Sequence, residues 1–341
     1  MMLTSSDMNL LERAIWALWA MCLWPAAAQE VLPVTGDLER AHDPVIIREK
    51  DTYYVFSTNR GPAGHIPIRC SKDLREWKLC GAVFAELPEW VARTIPGARS
   101  FWAPDISYFN GKYHLYYSAS TFGSNRSAIG LATNTTLDRT SPEYRWVDQG
   151  PVIESQKEND YNCIDPNLAF DAEGRAWLAF GSFWSGLKMR RIDPRTGMLS
   201  GEDSTLYSLA SRPRAPGQPG AIEAPFILKR GGYYYLFASF DFCCRGVKST
   251  YNTVVGRAER ITGPYLDRSG KPMLEGGGTL LIEGNERWRG PGHPGFLQRP
   301  DGDIMVFHAY DGVTGRSSLH VSTMVWEDGW PRVGKLPSGA P

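Results

Sequence analysis

Five prolines open five similar stretches of this chain. Pro44, Pro104, Pro166, Pro225 and Pro294 are spaced by 60, 62, 59 and 69 residues. After each comes a short β-rich run, a polar turn and a second run rich in aromatics. The first repeat has runs at 43–47 and 53–58 around a turn at 49–51. The others pair 103–108 with 113–118, 165–170 with 176–181, 224–228 with 233–238, and 293–297 with 303–308. Glycine-bearing turns between such runs are hairpin signals. A third run follows each pair, at 66–70, 128–132, 187–191, 253–257 and 319–323. An aromatic often marks a fourth, outer strand, as at Trp77 and Trp146. Four strands repeated five times predict an all-β chain folded as a five-bladed β-propeller. A β-sandwich would hold five prolines in phase only by chance. The innermost strand of each blade lines a central channel, so the opening motifs converge at one end of it.

The bulk of the sequence narrows the partners. Lysine plus arginine equals aspartate plus glutamate at 37 each, giving a formal net charge of zero. Such a chain has no field for a polyanion, which argues against nucleic acid. The 12 tryptophans and 15 tyrosines suit an aromatic β core and, in part, a cleft that stacks sugar faces. Residues 1–28 read as a secretory signal. Arg13 precedes the apolar run 14–24, and Pro25-Ala-Ala-Ala28 supplies the small residues for cleavage after Ala28. The run is short for a membrane span. The expected product is one propeller domain over residues 29–341, secreted or periplasmic and free of the membrane once the signal is removed. Loss of Cys22 with the signal leaves five cysteines, an odd number that argues against a full disulfide framework. Cys70 and Cys80 could pair across adjacent strands. No C-x-x-C pair is present, which argues against structural zinc.

Three opening motifs carry an acid: His42-Asp43-Pro44, Ile164-Asp165-Pro166 and Ile222-Glu223-Ala224-Pro225. Taken singly, each reads as a loop-capping carboxylate. Three in phase point to a common centre. Glycosidic-bond hydrolysis runs on two carboxyl groups, one protonated and one ionised. In the inverting form they stand roughly 6.5–9.5 Å apart, with room for a water. Three carboxylates facing one channel repel, so at least one pKa should rise. Asp105, just after a repeat's opening proline, is a fourth acid at the same rim. It either holds a substrate hydroxyl or satisfies backbone donors.

Several longer motifs carry a resemblance. They include Ser100-Phe-Trp-Ala-Pro-Asp105, Asn162-Cys-Ile-Asp-Pro-Asn167, Phe180-Gly-Ser-Phe-Trp-Ser-Gly186, Phe240-Asp-Phe-Cys-Cys-Arg-Gly246, Ser249-Thr-Tyr251, Gly292-His-Pro-Gly295 and His308-Ala-Tyr310. With the three acidic motifs, they make the chain from His42 to about Trp330 resemble the endo-α-1,5-L-arabinanases of glycoside hydrolase family 43. The resemblance implies a five-bladed propeller and an inverting mechanism. It implies Asp43 as general base, Glu223 as general acid and Asp165 as the group that raises the pKa of Glu223 and orients it. Substrate contacts are implied at Asp43, at Gly123, at Asn162, Cys163, Ile164 and Asp165, and at Ser182, Phe183 and Trp184. A calcium ion near the channel axis, held by His293 and waters, is implied as well, with no organic cofactor. One imidazole nitrogen is a poor calcium site, since calcium prefers oxygen.

Trp102 and Trp184 are the rings expected to bound sugar subsites; blade packing is the alternative. Cys163 stands where the family often has a smaller residue. By alternation it shares a side with Asp165, and it either narrows a subsite or packs. Cys243 and Cys244 are either a vicinal disulfide or two thiols beside the cleft. The expected partner is linear arabinan or its oligosaccharides, acted on by a monomer. Exo action on the same bond and non-catalytic carbohydrate binding are the competing readings.

Overall fold

The computed structural model describes residues 30–58, 60–213 and 220–338, so the expected signal 1–28 lies outside the described residues. Five separate antiparallel sheets follow one another along the chain. In every sheet the first strand of the repeat is innermost and the rest are added outward in chain order. The innermost strands are His42–Glu49, Phe101–Phe109, Asn167–Phe170, Ile222–Arg230 and Trp288–Leu297. The fold is the expected five-bladed propeller. Among the described residues no helix is long and apolar enough to cross a membrane.

Strand alternation explains how the blades pack. In the second strand of blade 1, Tyr54 and Phe56 face blade 2, while Tyr53 and Val55 face blade 5. Both faces are buried, so the run reads as continuously apolar. Each of the five hydrophobic clusters fills one blade interface. Phe180 and Leu178 pack with Tyr116 between blades 2 and 3, Ile227 with Trp177 between 3 and 4, and Phe237 with Phe296 between 4 and 5.

Closure of the ring draws on residues outside the repeat. Residues 30–41 run across the seam between blades 5 and 1. Thr35–Gly36 adds a parallel strand at the outer edge of blade 1, and Leu32 donates its N–H to Val321 O at 2.8 Å on blade 5. Arg69 donates Nε to Asp37 O at 2.6 Å and Nη2 to Glu39 O at 3.0 Å, which ties the strap down. At the inner seam Gly295 is required, because a Cβ there would lie 2.7 Å from Pro44 O.

Two details differ from the sequence expectation. Trp146 precedes the outer strand Val147–Ser155 and packs on Phe56 across the interface, edge to face at 5.8 Å. In blade 3 the inner strand starts only at Asn167, so residues 161–166 are not a strand. Alternation therefore says nothing about Cys163. Its side chain is fully buried with Tyr116, Ile129 and Phe180 between blades 2 and 3, where it packs.

Candidate active site

Every opening proline follows a residue with a left-handed backbone: Asp43 (φ 49°), Ala103 (37°), Asp165 (57°), Ala224 (56°) and His293 (51°). Such angles are uncommon outside glycine, and each costs about 1–3 kcal/mol. The register shifts at this point in the inner strands of blades 1, 2, 4 and 5, the mark of a bulge. The fold therefore repeats one strained kink five times around the channel. Blades 1 and 3 place an aspartate on it, blade 5 a histidine, and blade 4 a glutamate one residue earlier.

The kinks are held from neighbouring blades. Ala103 N–H donates to Thr58 Oγ1 (2.6 Å), Asp165 N–H to Ser118 Oγ (3.0 Å), His293 N–H to Ser239 Oγ (2.9 Å) and Asp43 N–H to His308 Nδ1 (3.1 Å). All four acceptors sit near the ends of second strands. Blade 3 has no such side chain, and there Asp165 Oδ2 accepts the Ala224 N–H at 3.1 Å. Asp165 thus fixes the kink beside Glu223.

Asp43 is surrounded by donors. Thr58 Oγ1 donates to Oδ2 at 2.6 Å and His42 Nδ1 to the same oxygen at 2.8 Å. His293 Nδ1 donates to Oδ1 at 3.1 Å. Burial alone would raise the Asp43 pKa, but His42 and His293 hold it well below the usual carboxylate range. Asp43 is therefore ionised. Glu223 has a different shell: Ser182 Oγ donates to Oε2 at 2.7 Å and Tyr251 OH to Oε1 at 2.8 Å. Burial raises its pKa; the two hydroxyls and His293 oppose this, and the charge of Asp43 adds to it. Burial also raises Asp165 well above its usual value, against His293 and with the charges of Glu223 and Asp43. One end of the channel thus holds an aspartate whose pKa is pushed down beside two acids whose pKa values are pushed up. Burial would lower the His293 pKa, but the three acids lift it to about 9. Burial first, then His42, push His308 well below its usual value, and it accepts at Nδ1 as a neutral ring.

The implied substrate residues divide. Ser182, Phe183 and Trp184 form a kinked loop against the acid: Ser182 bridges Glu223, Phe183 N–H donates to Ile222 O at 2.8 Å, and Phe183 and Trp184 have φ of 54° and 37°. Trp102 lies half-buried on the inner strand one residue before the blade 2 kink. Asn162 is buried, and its Oδ1 has no protein partner. Ile164 is buried and takes Gly181 N–H on its carbonyl at 2.8 Å. Gly123 lines a cavity of about 550 Å³ with Ile95, Thr121, Asn125, Arg126 and Lys157, and none of the three acids borders it. Asp105 is buried, and its oxygens accept Asn167 Nδ2 at 3.1 Å and Leu168 N–H at 2.8 Å on blade 3. This is the backbone-satisfying alternative, and burial raises its pKa to about 6.

The donors around His293 do not fit the implied calcium. Its Nδ1 is engaged with Asp43, and one imidazole would be the whole protein contribution to an ion that takes six to eight oxygens. Among the described residues, ligand atoms converge only at His42–Cys243–Cys244 and at His42–Asp43–His308, sets rich in nitrogen and sulfur that exclude His293. No step of the chemistry below runs through a metal.

His42, Thr58, Tyr251, His308 and Tyr310 line this end of the channel without having been assigned a role from the sequence. Thr58 and His308 occupy one repeat position with Ser118 and Ser239, so aligning the ends of the second strands would have exposed them.

Comparison with known proteins identifies the family. The profile described as "Glycosyl hydrolases family 43" matches residues 38–331. The "Extracellular endo-alpha-(1->5)-L-arabinanase 1" of Bacillus subtilis (strain 168) is 46% identical over 295 residues, covering 86% of this chain and 87% of that protein. The "Extracellular exo-alpha-(1->5)-L-arabinofuranosidase ArbA" of Cellvibrio japonicus (strain Ueda107) is 45% identical over 302 residues, covering 86% of each. A solved Cellvibrio cellulosa α-L-arabinanase complexed with arabinohexaose superposes with a TM-score of 0.81 at 41% identity, covering 88% of this chain and 100% of that one. The chain belongs to glycosyl hydrolase family 43.

Proposed function

We propose that this chain is an endo-acting, inverting hydrolase of α-1,5-L-arabinofuranosidic bonds in linear arabinan. The observation that carries the mechanism is the contrast between two carboxyls at one end of the channel. His42 and His293 hold Asp43 well below the usual carboxylate range, and burial raises the pKa of Glu223. Asp43 draws a proton from a water, the water attacks the anomeric carbon, and Glu223 protonates the departing oxygen. Asp165 fixes the kink beside Glu223 by accepting the Ala224 N–H, so the acid is held in place, and burial makes it harder to ionise. The substrate is supported by relatives whose names specify arabinan-type bonds, and by the neighbouring structure that holds arabinohexaose. Two relatives are named as extracellular, which supports secretion.

Glu223→Gln tests the assignment. Turnover of linear arabinan should fall at least about a hundredfold, the usual contribution of a general acid, while arabino-oligosaccharide still binds. Unchanged turnover removes Glu223 from the mechanism. Exo action is kept as a second reading because a relative of nearly equal identity is named as exo-acting. Early digestion products decide: a spread of oligosaccharide lengths supports endo action, and a single released length defeats it.

A further inference from the structure

A line of hydrogen bonds runs from Asp43 to the protein surface. His42 Nδ1 lies 2.8 Å from Asp43 Oδ2, and His42 Nε2 lies 2.6 Å from the Tyr310 hydroxyl. The Tyr310 oxygen accepts the backbone N–H of Cys244 at 2.8 Å. Cys244 is disulfide-bonded to Cys243, has a left-handed φ of 66°, and places its Sγ 3.8 Å from His42 Nε2.

Proton counting gives the line a single direction. A backbone N–H only donates, so the Tyr310 oxygen accepts at Cys244. The Ser249 side chain bonds the same hydroxyl. Tyr310 is buried and keeps its proton; with Ser249 donating to the same oxygen, that proton faces His42 Nε2. Nε2 then accepts, and in the neutral form of the ring the one proton sits on Nδ1, aimed at Asp43. An ionised carboxylate only accepts, so every group along the line has one role. His42 is also clamped by stacking on His308 at 3.8 Å between centroids.

We propose that His42 and Tyr310 are positioning residues that hold the Asp43 carboxylate in one orientation through the Nδ1–H form of His42, and that the Cys243–Cys244 disulfide anchors the outer end of this line. The inference rests on Asp43 being the general base. It gives the vicinal cysteines a use that neither redox work nor sugar contact requires.

Nitrogen-15 NMR of the histidine-labelled wild-type enzyme reads the ring form directly, with His42→Asn assigning the signal. Nε2 should be the unprotonated nitrogen; an Nε2–H ring overturns the proposal. Kinetics test the coupling. Tyr310→Phe should lower kcat about tenfold with KM moving less than about twofold, since misorientation of a catalytic group alone costs rate. His42→Asn keeps a donor near the Nδ1 position but nothing for Tyr310 to act on. Tyr310→Phe added to His42→Asn should therefore cost less than about twofold more, because the two act in series. An equal tenfold loss in both backgrounds would mean that Tyr310 acts elsewhere and overturns the line. Replacing Cys243 and Cys244 together by serine should lower kcat in the wild type and not in Tyr310→Phe; equal losses in both overturn the anchor. Asp43→Asn, run alongside, separates the two failures. If it retains turnover, the base assignment is wrong. If it is inactive while the losses simply add, only the line is wrong.

Discussion

The two walls of the channel mouth use different chemistry for the same kind of residue. On the blade 5 and blade 1 side, Asp43 is met by His42, His293 and the Thr58 hydroxyl. On the blade 3 and blade 4 side, Glu223 is met by the Ser182 and Tyr251 hydroxyls, with another acid nearby. Asp43 is buried and Glu223 half-buried, and desolvation opposes ionisation of each. Imidazoles can carry a positive charge and hydroxyls cannot. The histidine wall therefore overcomes burial and the hydroxyl wall does not. One pKa is pushed down and the other up because of who stands beside them, which is how a single fold can supply both a base and an acid.

The largest effects should come from removing the two groups themselves, and the leaving group should tell them apart. Asp43→Asn and Glu223→Gln are each expected to lower arabinan turnover by about 10²–10⁴-fold. On an aryl arabino-oligosaccharide whose phenol departs without protonation, Glu223→Gln should recover most of its rate and Asp43→Asn should not. Equal recovery by both variants would break the division of roles.

Weakening each wall should shift one limb of the pH–rate profile. With Asp43 as the proposed base and Glu223 as the proposed acid, rate should fall in acid as Asp43 gains a proton and in base as Glu223 loses one. His293 lowers the Asp43 pKa, so His293→Gln should raise it and move the acidic limb toward neutral pH. The Tyr251 hydroxyl also lowers the pKa of its partner, Glu223. Tyr251→Phe should therefore move the alkaline limb upward, with a loss of about tenfold in kcat at the optimum from a less well held acid. A shift of the opposite limb in either variant would show that the two walls are not separate.

Much of this architecture is written in the sequence because it repeats. Five prolines in phase, each followed by two apolar runs, give the blade count and put Asp43, Asp165 and Glu223 at one end of a channel. The remainder depends on features without a local pattern. A left-handed φ before proline is not a propensity, so the kinks that aim these acids cannot be seen in composition. The hydroxyls that hold the kinks, Thr58, Ser118 and Ser239, look like ordinary strand ends. Strand alternation cannot place Cys163, because residues 161–166 are not a strand. The strap at 30–41 has no counterpart in the repeats, since it serves the single seam where the ring closes.

Asp105 gives the comparison a third case, a buried acid with neither wall. Its oxygens accept Asn167 Nδ2 and Leu168 N–H, and Asn167 Oδ1 accepts Ile227 N–H at 2.8 Å, so the network runs from blade 2 through blade 3 to blade 4. Asn167 cannot flip without losing Ile227. In Asp105→Asn the new amide N–H₂ would face the Asn167 amide, donor against donor, at a cost of about 1–3 kcal/mol. The wild-type carboxyl has its own pH signature, because burial lifts its pKa to about 6. A raised aspartate stabilises the fold below its unfolded pKa, and that contribution is lost as pH rises through the folded value. Between pH 4 and pH 7 the wild type should lose about 2 kcal/mol from this group, and Asp105→Asn should not. Thermal melts should therefore show the largest gap between the two proteins near pH 4 and a smaller gap near pH 7, with kcat within about twofold because no reacting atom is touched. A gap that widens with pH would mean that Asp105 is held ionised, and a large loss of kcat with an unchanged melt would return it to the substrate.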